Sequence, residues 1–341
     1  MNDSRTIRIA VDAMGGDFAP QNVVAGALDA LRETNNRFEI LLVGKEPLIR
    51  SHLPTSAEHL SYSIVHTEET IDMHDSGTAV LRQKKDSSIG LGMTMHKEGK
   101  VDAFVSAGHT GAMVSASTLI LGRIEGVSRP TIGTFIPSQN GVCLLVDAGA
   151  NVDCRPQHLY EFAVMGSIYA SEMFNIKNPT VALLNIGEEE SKGNEVVKEA
   201  HKLLSQSSLN FIGNVEGRDI LSGKSNVVVC DGFVGNIILK FAESVPSFLK
   251  LRLKEFFTRS FVLKLMGGMM KSSLSSAFKS LDYEEYGGVP VLGVKGVSII
   301  GHGKSTPKAI KNMILKAEEM IRKRINERIQ EALIKQIVVE R

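Results

Sequence analysis

Short apolar runs alternate with longer amphipathic stretches of helical length along most of the chain. The runs are rich in Val, Ile and Leu and are mostly apolar on both faces, which is typical of strands buried inside a parallel sheet. Strands that alternate with helices indicate an α/β fold. The predicted strands are residues 7–11, 38–43, 103–106, 142–146, 181–185 and 227–230.

Three sites in the sequence indicate where helices begin. Pro20 suits the first turn of one helix, and Asp153 with Pro156 suits the start of another. Near the end of the chain, Thr306 is a good N-cap residue and Pro307 a good first helical residue. Apolar residues at helical spacing follow as far as residue 329, so this segment is predicted to be one long surface helix.

Five glycine-rich turns each directly follow a short apolar run. They mix glycine with a carboxylate, a hydroxyl or an amide, and glycine allows a sharp turn and a close approach to a ligand. In an open parallel sheet, all such turns lie beyond the carboxyl ends of the strands. We therefore expect them to meet around one pocket, although five ordinary loops are the alternative. The turns are residues 12–17, 106–111, 147–151, 185–188 and 231–236.

The composition is that of an ordinary globular protein, with 341 residues, 43% hydrophobic content and a formal charge of +1. We treat residues 1–341 as a single elaborated α/β catalytic domain. The absence of Trp argues against a stacking platform for single-stranded nucleic acid, and the charge gives no general attraction to one. No nucleic-acid partner is expected.

The predicted location is cytoplasmic. The three cysteines are odd in number and lack paired spacing, so they are interpreted as buried thiols in a reducing compartment. The N-terminus has no apolar leader segment. Residues 103–122 contain no Asp, Glu, Lys or Arg, but the polar turn at 106–111 favours a strand–turn–helix unit over a membrane span.

Residues 246–280 are predicted to form a basic amphipathic helical hairpin inserted in the domain. Seven cations stand against one acid, Glu255, among many Phe, Leu and Met residues, and Gly267 with Gly268 suits the bend. One interpretation is an apolar face that packs on the core or on a second subunit. The other is a tip that contacts an anionic membrane surface or an acidic protein, and both stay open.

No cofactor or metal is expected. A dinucleotide-binding glycine fingerprint does not follow the first strand, and the nine histidines are dispersed. Asp12, Asp147 and Asp231 end predicted strands and are a conceivable Mg²⁺ set, but capping a helix or orienting a loop is the favoured role. Residues 301–305 resemble the end of a phosphate-binding loop but have Ser298 where that motif needs glycine. They are interpreted as a strand-to-helix turn, and that His302 reaches the pocket is a secondary possibility.

The loop at residues 187–194 is the most distinctive one. Lys192 stands between glycines at the start of a predicted helix, and free N–H groups with a lysine favour an anion. A solvated charged loop is the alternative. Together with Asn185 and the 231–236 turn, the loop favours a phosphate site.

Several of these segments resemble, in order, the bacterial phosphate acyltransferase family of phospholipid synthesis. The similarity runs from about residue 7 to the final helix. The family usually has Asn at the position of His109 and Thr at those of Val234 and Ile238. The imidazole of His109 can still donate a hydrogen bond. Val234 and Ile238 have no hydroxyl, which argues against an essential hydroxyl at those two positions. The matching segments are residues 11–17, 105–112, 147–153, 183–190, 231–236 and 286–288.

The resemblance implies transfer of a fatty acyl group from acyl carrier protein to inorganic phosphate, which gives acyl phosphate for a membrane glycerol-3-phosphate acyltransferase. It also implies a three-layer α/β/α sandwich with a mostly parallel sheet, like that of isopropylmalate dehydrogenases and phosphotransacetylases. A homodimer and peripheral membrane association are further expectations from the same resemblance.

Phosphate is anionic at neutral pH and a thiol is a good leaving group, so the enzyme mainly positions phosphate and stabilises the tetrahedral oxyanion. Ser106, His109 and Thr110 are candidates to polarise the carbonyl or protonate the sulfur. The predicted catalytic residues are Lys192, His109, Asn185 and Asn236. The predicted substrate-binding residues are Asp12, Gly15, Gly16, Asp17, Ser106, Thr110, Gly111, Asp147, Asn151, Gly187, Gly193, Asn194, Asp231, Gly232 and Gly235.

Two rival interpretations stay open. Residues 12–20 resemble the N-terminal turn of the isopropylmalate dehydrogenase type, which supports a metal- and NAD-dependent hydroxyacid dehydrogenase. The other is a non-catalytic scaffold that recruits lipid-synthesis proteins through residues 246–280. A hydride assay tests the first, and turnover with acyl carrier substrate tests the second.

Overall fold

The computed structural model describes residues 5–279 and 287–339, and these form one α/β unit. Its strands are β1 Arg8–Asp12, β2 Glu39–Gly44, β3 Tyr62–His66, β4 Ala103–Ser106, β5 Thr131–Ser138, β6 Gly141–Val146, β7 Val181–Leu184, β8 Phe211–Val215, β9 Val227–Val229, β10 Val289–Leu292 and β11 Val297–Ile300. Its helices are α1 Gln21–Glu33, α2 Glu46–Ser51, α3 Ala79–Arg82, α4 Ser88–Lys97, α5 Thr110–Ala116, α6 Pro156–Phe174, α7 Glu195–Ser205, α8 Gly217–Ser222, α9 Gly232–Phe257, α10 Phe261–Lys279, α11 Pro307–Arg322 and α12 Ile325–Val339.

The strands form one sheet in the order β3-β2-β1-β4-β11-β10-β5-β6-β9-β7-β8. Pairing is parallel from β3 to β11 and again from β6 to β8. Between these halves, β10 is antiparallel to β11, and β5 is antiparallel to both β10 and β6. The two parallel halves therefore run in opposite directions. The expectation that all five glycine turns share one sheet edge is corrected: the turns after β1 and β4 lie at one edge, and those after β6, β9 and β7 lie at the other.

Helices cover both faces of the sheet, which confirms the three-layer arrangement. One face is buried under α1, α6, α7, α11 and α12 in the largest hydrophobic cluster. The other face is covered by α4 and α5 over one half and by α8 and α9 over the other half. Between these two pairs a gap remains above β5, although α8 and α9 also pack on that strand and its residues are largely buried.

Each predicted strand is found, with ends that differ by at most one residue. Five others, β3, β5, β8, β10 and β11, were not among the predictions. Pro156 is the first residue of α6, but its N-cap is Arg155 and not Asp153. Pro20 is the N-cap of α1, one residue before the helix. Thr306 caps α11 as predicted, but the final helix is two helices, because Arg324 takes a left-handed conformation with φ 52°.

The basic hairpin is longer than predicted and bends elsewhere. Its first arm is α9, which begins at Gly232 and contains Pro246 inside it. The bend lies at residues 258–260, so Gly267 and Gly268 lie inside the second arm, α10. Gly267 allows the arms to approach, since a Cβ there would lie 2.8 Å from the Phe257 ring. Ser280 lies outside the described residues. Within the described ranges, no helix is both long and apolar enough to cross a bilayer.

Candidate functional site

A cleft of about 1070 Å³ opens on the uncovered part of the sheet, between α5 and α9 and above β5. One wall consists of turns that follow β1, β4 and β11. The opposite wall is α9, and the turn after β6 closes one end. Of the predicted site residues, Asp17, Thr110, Gly111 and Asn236 line this cleft, and so does His302.

Asp12 and Ser106 hold the first wall from behind. Each is 1% exposed. The Ser106 hydroxyl donates to the Asp12 carboxylate over 2.6 Å and accepts from the Gly108 N–H over 3.0 Å. Burial raises the pKa of Asp12, an effect that the hydrogen bond from Ser106 opposes. Gly15 packs against the same groups, since a Cβ there would lie 2.8 Å from the Gly108 nitrogen. These residues fix the position of Gly108, which lines the cleft.

His109 is the N-cap of α5. Its Nδ1 accepts a hydrogen bond from the Ala112 N–H over 3.1 Å. Since Nδ1 is the acceptor, the neutral ring carries its proton on Nε2. Asn is among the favoured N-cap residues, so an imidazole here takes over the capping role of the Asn that the resemblance expects. Thr110 begins the helix, is exposed, and lines the cleft.

The turns after β1 and β11 are joined by main-chain contacts. The Asp17 N–H donates to the Gly303 carbonyl over 2.7 Å. Gly16 has φ 110°, and a Cβ there would lie 3.2 Å from the same carbonyl oxygen. This close approach brings His302 to the wall and confirms that residues 301–305 form a strand-to-helix turn.

Asp147 organises the turn that closes the end of the cleft. Its buried carboxylate accepts from the N–H groups of residues 149, 150 and 151, and from that of Ile132 over 3.1 Å. Burial raises the pKa of Asp147, and these hydrogen bonds oppose the shift. The Asn151 amide donates to Asp147 and to the Pro130 carbonyl. The backbone of residues 148–150 is thereby presented to the cleft.

The start of α9 is fixed to this turn. The Asp231 side chain caps the helix by accepting from the Val234 N–H over 2.8 Å. The Gly232 N–H donates to the Asn151 carbonyl over 2.7 Å. Capping and loop orientation, the roles favoured for the three strand-end aspartates, are the roles that the structure gives them.

Two contacts bring α9 unusually close to the turn. A Cβ on Gly235 would overlap the carbonyl oxygen of Asp147. One residue later, Asn236 lines the cleft beside Gly149, whose own hypothetical Cβ would lie 3.3 Å from the Asn236 Cβ. The small residue at position 235 therefore sets where Asn236 stands.

The loop after β7 is held by its own side chains. Asn185 accepts from the Ile186 N–H over 2.8 Å and donates to the Lys192 carbonyl over 3.0 Å. Gly193, with φ 92°, packs directly against the Asn185 amide, and Gly187 packs against the Lys192 side chain.

This loop flanks the cleft and does not line it. The Asn194 side chain is used as the N-cap of α7 and accepts from the Val197 N–H over 2.9 Å. Strand β9 separates β7 from β6, which places the loop about 10 Å from the turn at Asp147. The structure therefore brings the predicted phosphate residues Asn185, Gly187, Lys192, Gly193 and Asn194 together, but beside the cleft.

Comparison with known proteins decides the family. The model of a family described as "Fatty acid synthesis protein" matches residues 7–328. A phosphate acyltransferase of Chlorobaculum parvum is 49% identical, over 95% of this chain and 98% of that protein. One from Dictyoglomus turgidum is 48% identical, over 96% and 98%. The chain belongs to the phosphate acyltransferase family. The predicted resemblance is confirmed, and the family is one of acyltransferases rather than dehydrogenases or scaffolds.

Solved structures of low sequence identity share the fold. A phosphotransacetylase from Streptococcus pyogenes superposes with a TM-score of 0.61 at 18% identity, over 93% of this chain and 94% of that one. A branched-chain phosphotransacylase from Enterococcus faecalis V583 gives 0.58 at 13% identity, over 93% and 99%. The predicted α/β/α architecture with a mostly parallel sheet is thereby confirmed for this phosphate acyltransferase family member.

Sequence reasoning missed three parts of the cleft: residues 76–78, the face of β5, and α9 beyond Asn236. Ser76, Gly77 and Thr78 combine glycine with hydroxyls like the recognised turns, and this composition was the available signal. The β5 and α9 contributions depend on which side of each element meets the opening, and no local pattern reveals that.

The thiols offer no nucleophile. Cys143 and Cys230 are buried as predicted, whereas Cys154 is half-buried. Burial raises the pKa of Cys143 to about 12. Burial and then the Asp147 charge raise the pKa of Cys154 to about 12. Thiols are therefore protonated at neutral pH. Within the part of the chain that the structure describes, no group of three or more His, Cys, Asp and Glu side chains is arranged to hold a metal.

Proposed function

We propose that the protein transfers a fatty acyl group from acyl carrier protein to inorganic phosphate and releases acyl phosphate for phospholipid synthesis. One observation carries the proposal: a member of this family has a cleft in which polar turns face an apolar floor. The polar side suits phosphate and a thioester carbonyl, and the apolar side suits a hydrocarbon chain.

In the proposed reaction, a phosphate oxygen attacks the thioester carbon and forms the C–O bond of a tetrahedral oxyanion. The C–S bond then breaks, and the thiol of the carrier leaves with a proton. The Thr110 hydroxyl, which lines the cleft, is the donor proposed for the oxyanion or the sulfur. His109 does not line the cleft, and its proposed role is to cap and position the helix that begins with Thr110. Ser106 is removed from this role because its hydroxyl proton is donated to Asp12.

Phosphate is proposed to bind at the end of the cleft where Asn236 adjoins Gly149. Lys192 lies in the flanking loop, and no ion-pair partner for its ammonium exists among residues 5–279 and 287–339. The neighbouring Glu188 is paired instead with Lys224 over 2.8 Å. Lys192 therefore supplies a positive charge beside this end of the cleft.

The test of the function is mass spectrometry of the products formed from acyl carrier protein thioester and phosphate. Thr110→Val removes the proposed donor and is expected to lower the rate of acyl phosphate formation about 100-fold. Thr118→Val is the control, because its hydroxyl donates within its own helical segment to the Val114 carbonyl. Wild-type protein that forms no acyl phosphate contradicts the function; equal rates in the two variants contradict the role of Thr110.

A homodimer is proposed through an apolar patch beside the flanking loop. Ile186 is 81% exposed. Phe233, Ile237 and Phe241 follow one another at helical spacing on α9, and each of these side chains is 55–71% exposed. Patches of this kind mark association sites. Replacing Ile237 and Phe241 with Glu is expected to give monomers by light scattering, while Leu119→Glu, at an exposed position on another element, leaves the dimer intact. A doubly substituted protein that stays dimeric contradicts this interface.

The hairpin tip is proposed to contact an anionic membrane surface, where the membrane glycerol-3-phosphate acyltransferase takes the product. Phe261 is 83% and Met269 79% exposed on a helix that also carries Lys264. Phe261→Glu with Leu265→Glu is expected to reduce sedimentation with anionic vesicles and to preserve turnover without vesicles. Unchanged sedimentation contradicts this peripheral, cytoplasmic association.

A further inference from the structure

Helix α9 presents two different rows of side chains to the cleft. The first row is apolar and half-buried, and it consists of Leu239, Ala242 and Pro246. The second row is polar and mostly exposed, and it consists of Asn236, Lys240, Glu243, Ser247 and Lys250. The greater burial of the apolar row places it toward the sheet, and the polar row follows the mouth of the cleft.

Strand β5 supplies an apolar floor opposite this row. Ile132 and Ile136 are each 3% exposed and share a face of the sheet with Thr134 between them, because alternate residues of a strand point the same way. All three line the cleft. Leu239 packs on the hydrophobic cluster that contains Ile132. The floor and the apolar row therefore enclose a trough that runs along α9.

We propose that this trough holds the hydrocarbon chain of the acyl group, which leaves the region of Asn236 and passes Ala242 toward Pro246. The assignment rests on the proposed function, which places phosphate beside Asn236. Each methylene that leaves water for an apolar lining strengthens binding about fourfold. A long chain in this trough is thus held far more tightly than a short one.

Ala242 sets how far a chain extends. It follows Asn236 by six residues, which is about 9 Å along a helix that rises 1.5 Å per residue. Its methyl group is smaller than the side chains of Leu239 and Pro246, which precede and follow it in the row. A larger side chain at this position blocks the trough beyond a short chain and leaves the polar end of the cleft unchanged. Ala242 is therefore a specificity-determining residue that does not touch the reacting atoms.

The experiment uses the full chain and measures dissociation constants for hexyl and dodecyl phosphonate, unreactive compounds with a phosphate-like head, below micelle-forming concentrations. The wild type is expected to prefer the dodecyl compound strongly. Ala242→Phe is expected to reduce that preference about tenfold or more. Ala242→Leu is expected to reduce it less, and this smaller substitution provides the test if the Phe variant does not fold. Ser244→Leu is the control, since Ser244 is exposed on the same helix and does not line the cleft.

The same preference is then measured as the ratio of kcat/KM for six- and twelve-carbon acyl carrier thioesters. A folded Ala242→Phe protein that keeps the wild-type preference in binding overturns the trough, as does an equal loss in Ser244→Leu. Failure of the proposed function gives a different result: wild-type protein forms no acyl phosphate from either thioester, while Ala242→Phe still loses the preference for the longer phosphonate.

Discussion

Substitution of Gly235 by Ala tests how the wall of the cleft is fixed. The added methyl group overlaps the Asp147 carbonyl oxygen and lies 2.9 Å from the carbonyl carbon and 3.0 Å from the Cys230 sulfur. The carbonyl belongs to a turn that is itself anchored by hydrogen bonds to a buried carboxylate. Neither partner is the flexible end of a side chain, so α9 has to retreat from the turn by about 1 Å to restore van der Waals contact.

The expected cost has two parts. Forcing a methyl group into a packed site destabilises a protein by about 1–3 kcal/mol, and occasionally by more. Ala is favoured over Gly in a helix by about 1 kcal/mol, which offsets part of that cost. Because the overlap is with backbone, the upper end of that range applies, and we expect a net loss of about 2 kcal/mol in the free energy of unfolding. Because Asn236 moves with the helix, we also expect turnover to fall by about 100-fold, the effect of a displacement near 1 Å at a reacting group.

Gly268→Ala is the matched control. Gly268 lies inside α10, and an added Cβ meets nothing within 4 Å, so the same substitution is expected to stabilise the protein by up to about 1 kcal/mol. Urea unfolding and acyl phosphate formation are measured for both variants. If Gly235→Ala is as stable and as active as Gly268→Ala, the contact between α9 and the turn does not determine the position of the wall.

Three further substitutions test other groups. Lys192→Ala is expected to lower acyl phosphate formation about tenfold, because a positive charge about 10 Å from phosphate contributes about 1.7 kcal/mol at an effective dielectric constant near ~20, and turnover near that of the wild type refutes this role. Replacing all three cysteines with Ala is expected to preserve turnover. Iodoacetamide at pH 8 should modify Cys154 about 50-fold more slowly in the native than in the unfolded protein, because its pKa is raised from 9.0 to about 12 and the higher nucleophilicity of a more basic thiolate offsets only part of the smaller thiolate fraction. Burial lowers the pKa of Lys316, whose ammonium lies 4.0 Å from the Phe135 ring centroid, from 10.5 to about 7. Between these values the unfolded chain binds one more proton at this lysine, so the lysine alone makes stability rise with pH by about 1.4 kcal/mol per unit. The three cysteine thiols, whose pKa values burial raises, act in the opposite sense, so the lysine is measured as a difference between variants. In urea titrations, the stability of the wild type relative to Lys316→Met should rise by about 2–3 kcal/mol between pH 7.5 and 9.5, whereas its stability relative to the control Lys311→Met should not change.

The central strands were predictable because both of their faces are buried. Strands such as Ala103–Ser106 and Val181–Leu184 are fully buried, and their apolar runs are continuous. The edge strands Tyr62–His66 and Phe211–Val215 are only partly buried, so their polar residues break the pattern. Partial burial thus explains the two missed edge strands. Strands β5, β10 and β11 are central and largely buried, and they were missed because Gly133 and Pro137, Pro290 and Ser298 interrupt their apolar runs.

The reversal of strand direction carried a signal that was not used. Strands β5 and β6 form an antiparallel hairpin with Ser138 opposite Gly141, and the connecting residues include Asn140 directly before that glycine. An Asn–Gly pair between apolar runs is a strong hairpin signal. Once this hairpin is recognised, the glycine turns are predicted to lie at two opposite sheet edges. The loop that contains Lys192 is then expected at the edge opposite to the turn after β1.

The roles of individual turn residues could not be predicted, because they depend on contacts across the sheet. Ser106 has the composition of a site residue, yet its hydroxyl bonds a carboxylate 94 positions earlier in the chain. Local sequence identifies the turn and its chemistry. Only the packing of β1 beside β4 decides that Ser106 supports the wall while Thr110 faces the opening.

Aspartates in three of the glycine turns bond to the turns themselves. This orientation explains how a chain with so many acidic turn residues offers a cleft to an anion. The carboxylates of Asp12, Asp147 and Asp231 all accept hydrogen bonds from their own turns, and the first two are fully buried. Among the side chains that line the described cleft, the carboxylates are Asp17 and Glu243, and Glu243 is paired with Lys240 over 2.9 Å. At the proposed site, phosphate therefore meets mainly N–H, amide and hydroxyl groups, while the charges that shape these turns are satisfied behind them.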